Sequence, residues 1–155
     1  MARILIVGYG NPLRGDDGVG FHAAVRLAAG FAGGEVEVRA VHQLTPELAD
    51  DLSRAELAIF IDAAAEGEPG AVLLRRLSPE GGAQAFTHQA TPPALLSASR
   101  ALFGSAPEAV LFSIPVESAG FGESMTPPVA RALDRVCVQV RAMVSERIAP
   151  GTPEI

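Results

Sequence analysis

The chain contains no lysine; all twelve of its basic residues are arginine. That excludes a Walker-A phosphate loop, whose Lys must reach the β- and γ-phosphates. The arginines are outnumbered by 18 acidic residues, for a formal net charge of -6. A general nucleic-acid binder is disfavoured, because affinity for phosphate backbones comes mainly from clustered cations. Cysteine occurs once, as Cys137. It has no internal disulfide partner, and a chain of this length buries an adequate core without one, so a reducing compartment is the simpler reading. No apolar run approaches the ~18 residues of a membrane span, and Met1-Ala2-Arg3 leads straight into a strand rather than into the apolar region of a signal peptide. The expectation is a soluble cytoplasmic protein, with neither nucleic acid nor membrane as a partner.

What is present alternates between β and α signals. Residues 3 to 8 read as a buried first strand that breaks into a glycine-rich loop, Gly8-Tyr9-Gly10-Asn11-Pro12-Leu13-Arg14-Gly15-Asp16-Asp17-Gly18. Phe21, Ala24, Val25 and Ala28 then recur at helical spacing, giving a helix over about Asp17 to Ala29. Glu35 to Val41 alternates as a strand near a sheet edge, and Leu57 to Ile61 is a buried strand that ends on Asp62. The link from Ala63 to Gly70 is too short for a parallel crossover, so the next apolar run, Ala71 to Leu77, is expected antiparallel to the third strand. Ala109 to Pro115 is the last strand. Three Thr-Pro pairs, Thr45-Pro46, Thr91-Pro92 and Thr126-Pro127, read as helix starts, with Thr as cap and Pro at the first helical position. The pattern predicts one domain over 1–148 and a tail over 149–155: a three-layer α/β/α sandwich with a mostly parallel, five-stranded twisted sheet and one antiparallel strand.

In such sheets ligands bind beyond the carboxyl ends of the strands. Asp16-Asp17 follows the first strand, Asp62 ends the third, Glu117 follows the fifth, and His88 lies in an irregular stretch that can fold over the same edge. A dinucleotide reading of the glycine loop fails twice. Leu13 stands where the third fingerprint glycine belongs, and paired carboxylates at a helix start repel the anion that such an end attracts. A cation meets no such conflict. Asp17, Asp62 and His88 would supply two hard oxygen ligands and one imidazole, a set suited to zinc, nickel or iron with positions left open for substrate. Asp16 is read as the helix N-cap, which leaves Asp17 free to face the cleft. His22 and His42 are weaker candidates. No Gly-x-Ser-x-Gly elbow occurs, and Cys137 falls beside the apolar stripe of the last helix, where a packed thiol is expected.

The glycine loop with its Asp-Asp-Gly end, Phe60-Ile61-Asp62-Ala63, Thr87-His88-Gln89, and Ile114-Pro115-Val116-Glu117-Ser118 through Thr126-Pro127 together resemble the hydrogenase maturation endopeptidases. These proteases trim the C-terminus of the large subunit of nickel-iron hydrogenases. The resemblance runs in order over nearly the whole chain, and the Gly-x-Gly-Asn to Asp-Asp-Gly loop is its most specific part.

That resemblance implies a metal-directed endopeptidase, of aspartyl or metal-dependent type, whose partner is the nickel-loaded large-subunit precursor. It carries the family's nickel-contacting positions onto Asp17, Asp62 and His88, with Asp17 and Asp62 also as catalytic carboxylates. Gly8, Gly10, Asn11 and Asp16 become the supporting loop, and Glu117 a supporting acid behind the site. Asp17 is Glu in some relatives; being one methylene shorter, it requires either that the metal sit closer to the backbone or that the loop shift. Nickel is expected to arrive with the precursor, while another divalent metal can occupy the isolated site. Two alternatives stand beside this reading: a non-catalytic chaperone that inspects or delivers metal, and, third, a nucleotide-binding α/β domain.

Overall fold

A computed structural model of the chain describes residues 3–31, 33–79, 90–117, 122 and 124–148. Its elements in chain order are β1 (Ile4–Tyr9), α1 (Val19–Ala28), β2 (Val36–Val41), α2 (Leu48–Ser53), β3 (Leu57–Ala64), β4 (Leu73–Leu77), α3 (Pro92–Phe103), β5 (Glu108–Pro115) and α4 (Pro127–Ile148). The five strands form one sheet in the order β2-β1-β3-β5-β4, parallel throughout except for β4.

Alternation along the strands divides the core in two. Ile4 and Ile6, Leu57, Ile59 and Ile61, and Phe112 and Ile114 face α1 and α4 on one side. Leu5 and Val7, Ala58 and Phe60, and Ala109 and Leu111 face α2 and α3 on the other. β1 and β3 are apolar on both sides because both faces are covered. Phe60 and Phe112 are the largest fully buried side chains, and each such burial contributes ~1.5–3 kcal/mol. β2, with its alternating pattern, lies at an edge as expected.

The antiparallel strand departs in its neighbour. β4 runs opposite to β3 but pairs with β5, because β1 and β5 already occupy both sides of β3. The short link from β3 must therefore cross the carboxyl end of β5, and Gly67 permits this: a Cβ there would sit 2.7 Å from Pro115.

Of the three expected Thr-Pro starts, Thr91 caps as predicted, its hydroxyl accepting the Ala94 N–H at 3.3 Å with Pro92 at the first helical position. At Thr45 the chain makes a turn first, and α2 begins three residues later without a side-chain cap. α4 begins at Pro127, but the Thr126 hydroxyl is engaged elsewhere. No helix among the described residues is long and apolar enough to cross a membrane.

Candidate active site

The connection from β1 to α1 is shaped by close contacts. Gly10 has φ +146° and a Cβ there would lie 2.3 Å from the Asp17 carbonyl oxygen, so only glycine allows the loop to fold back on itself. The Asn11 side chain accepts the Leu13 N–H at 2.9 Å, an Asx turn. Residues Gly15–Gly18 form one 3-10 turn, and α1 starts after it rather than at Asp17. Leu13 is 58% exposed and crowds nothing. The close approach between helix and strand falls instead to Gly8 and Gly20: a Cβ on Gly8 would meet the Gly20 carbonyl oxygen at 2.1 Å.

Asp16 is not the N-cap. α1 is capped at Gly18 without a side-chain bond, whereas Asp16 is 1% exposed and holds the connection between β5 and α4. Its carboxylate accepts the Glu117 N–H at 3.0 Å, the Thr126 N–H at 2.7 Å and the Thr126 hydroxyl at 2.8 Å. Backbone bonds from Gly15 to Gly122 and from Gly122 to Leu13, at 2.8 and 2.7 Å, tie the same two segments together. Among the described residues three donors converge on this buried carboxylate, a stronger pull than a single helix-end N–H. Glu117 contributes its backbone N–H to this clamp, and its side chain is exposed.

With Asp16 turned inward, its half-buried neighbour Asp17 lines a cleft of about 960 Å³ at the carboxyl ends of the strands. Asp62, from the end of β3, lines it too, as do Gly10 and Asn11. The Tyr9 and Ser113 hydroxyls each donate to Asp62, to opposite carboxylate oxygens, at 2.8 Å. Burial raises the Asp62 pKa above the usual aspartate range, against the opposing pull of those two hydrogen bonds and of the nearby Arg75. Burial and the Asp62 charge raise the Tyr9 phenol as well, so it remains a donor. Arg14 and Arg75 add positive charge to the lining.

Among the histidines, His42 lines the cleft, with its ring 5.3 Å from Phe21. His22 does not line it; its ring stands edge-on to Phe21, and Nε2 is buried without a hydrogen-bond partner among the described residues. His88 lies outside the described residues. Among those described, no group of three or more His, Cys, Asp or Glu side chains gathers to hold a metal. Cys137 is buried near the Ala23 carbonyl, and burial pushes its thiol above the usual range, away from nucleophilic use.

No protein-family model matches the chain, and no curated protein matches it in sequence. Solved structures do. The hydrogenase maturating endopeptidase HybD from E. coli superposes with a TM-score of 0.74 at 25% identity, over 94% of each chain. The [NiFe] hydrogenase maturation protease HycI from Thermococcus kodakarensis gives 0.73 at 22% identity over 93% of each chain. A hydrogenase 2 maturation peptidase from a Thaumarchaeota archaeon gives 0.70 at 23% identity, over 92% of this chain and 98% of that one. The fold is that of the hydrogenase maturation proteases.

Within this maturation-protease fold, the cleft offers two carboxylates to a cation or to a proton in transit, flanked by guanidinium groups able to meet an anionic partner. Sequence reasoning placed Asp17 and Asp62 at the strand edge but missed Tyr9, Ser113, Arg14 and Arg75. A signal for Tyr9 and Ser113 existed: on β1, β3 and β5 the run of apolar residues facing α2 and α3 turns polar at Tyr9, Asp62 and Ser113. Recognising it needed the strand register.

Proposed function

We propose that the protein is an endopeptidase that cleaves the C-terminal extension from the nickel-loaded large-subunit precursor of a nickel-iron hydrogenase. One observation carries the reading: Asp17 and Asp62 line a single cleft at the carboxyl edge of a sheet whose fold is shared with hydrogenase maturation proteases. Nickel belongs to the substrate in this reading. Two carboxylates supply hard donors but leave a divalent ion short of ligands, which suits a metal that brings most of its coordination with it. In this reading His88, which lies outside the described residues, is the third donor that the family resemblance implies.

The metal, when the precursor docks, supplies the Lewis acidity that polarises a peptide carbonyl. Asp62, made more basic by burial, accepts a proton from the attacking water as the water oxygen bonds to the carbonyl carbon, and returns that proton to the leaving amine nitrogen as the C–N bond breaks. Asp17 orients the metal-bearing segment from the opposite loop. The Asp16 clamp keeps that loop in place, so that both acids approach the scissile bond from fixed backbone. The reading places the protein in the cytoplasm, with the precursor.

Purified protein mixed with precursor prepared with and without nickel tests it by the size shift on a gel. Cleavage of the nickel-loaded form alone is expected, with Asp17→Asn and Asp62→Asn each leaving precursor uncut. Equal cleavage of the nickel-free form would remove metal recognition from the mechanism. Retention of the nickel-loaded precursor without any cleavage by the wild-type protein would favour a metal-inspecting chaperone instead.

A further inference from the structure

Three neighbouring strands turn polar at one level of the sheet. On the face that meets α2 and α3, β1 presents Leu5, Val7 and then Tyr9; β3 presents Ala58, Phe60 and then Asp62; β5 presents Ala109, Leu111 and then Ser113. The register pairs Gly8 with Ile61 and Asp62 with Ser113, so Tyr9, Asp62 and Ser113 form one row across the carboxyl ends of the three strands. Within that row the outer two hydroxyls donate to the two different oxygens of the central carboxylate, each at 2.8 Å.

We propose that Tyr9 and Ser113 are positioning residues: they lock the Asp62 carboxylate in the orientation in which it meets the cation carried by the precursor. The inference rests on the endopeptidase reading above. An aspartate turns readily about its last side-chain torsion, whose energy profile is broad. Here such a turn breaks hydrogen bonds on both sides at once. The donors come from the two strands hydrogen-bonded to β3, so the carboxylate is referenced to the sheet and not to a loop.

An ionised carboxylate has about four acceptor sites. Two hydroxyls occupy two of them and leave the others for a ligand in the cleft, which Asp62 and Tyr9 both line. A row serving stability alone would stay apolar, since a buried charge is stabilised less well than close packing. Groups that orient a metal-facing ligand in this manner typically change metal affinity or activity by about 10–100-fold when removed.

The test uses the full chain as Tyr9→Phe, Ser113→Ala and Ser113→Thr, with Asp62→Ala as reference and thermal melts to confirm folding. Ni²⁺ alone is titrated into each by calorimetry, and kcat and KM for the nickel-loaded precursor are measured on the same set. Expected is a loss of about 10-fold in Ni²⁺ affinity or in kcat/KM for Tyr9→Phe and Ser113→Ala, with recovery in Ser113→Thr, which restores the hydroxyl. Unchanged values of both quantities in folded Tyr9→Phe and Ser113→Ala overturn the proposal. So does an equal loss in Ser113→Thr and Ser113→Ala, which would point to packing. Failure of the wild-type protein to cut the precursor, with the Ni²⁺ pattern intact, would instead sink the endopeptidase reading and leave the positioning role standing.

Discussion

Asp16 and Asp17 are adjacent in the chain and have opposite fates. Asp16 is buried and receives three hydrogen bonds from the β5–α4 connection, whereas Asp17 opens onto the cleft. Replacing Asp16 with Ala strands two backbone N–H groups and a hydroxyl in the interior, and a loss of about 3 kcal/mol follows, roughly 10 °C in Tm. The same change at Asp17 is expected to stay within about 0.5 kcal/mol in stability while abolishing cleavage of the precursor. Paired thermal melts and gel assays on the two variants check this, and equal Tm values would refute the clamp.

Among the elements, α1 matters most to the site because its start decides where Asp17 stands. It lies close on the sheet through glycine: a Cβ on Gly20 would sit 2.3 Å from the Ile61 carbonyl oxygen and 2.6 Å from that of Tyr9. Two effects compete at Gly20. Helix propensity favours Ala by ~1 kcal/mol, but overpacking against rigid backbone costs ~3 kcal/mol. Packing wins, so Gly20→Ala is expected to lower stability by about 2 kcal/mol, read as a reduced urea midpoint at unchanged slope. Because Ile61 and Tyr9 adjoin Asp62 and Gly10, the displaced helix is also expected to depress cleavage.

Taken across the fold, the site costs stability. The folded-state pKa of Asp62 is raised, so the folded chain holds that proton more tightly than the unfolded one. The stability of the protonated form is therefore complete below the unfolded value of 3.8 and is lost as pH rises through the folded value. At pH 7 the wild-type protein bears this penalty and Asp62→Asn does not. Melts are expected to show a higher Tm for Asp62→Asn at pH 7, with the gap closing as pH falls toward 4. A lower Tm for the variant at pH 7 would mean that the bonds from Tyr9 and Ser113 outweigh the burial.

Local signals were enough for much of this architecture. Apolar runs rich in β-branched residues marked β1 and β3, the eight-residue link foretold a reversed strand, and Thr91-Pro92 marked the start of α3, because each depends on contacts a few residues apart. The α/β/α layering and the mostly parallel sheet followed from the order of these elements. Tertiary structure alone decided that β4 pairs with β5, that Asp16 clamps a segment 110 residues away instead of capping its own helix, and that Tyr9 and Ser113 flank Asp62. Those outcomes depend on which strands are neighbours and on which side chains must satisfy buried donors. Neither is a property of any short stretch of chain.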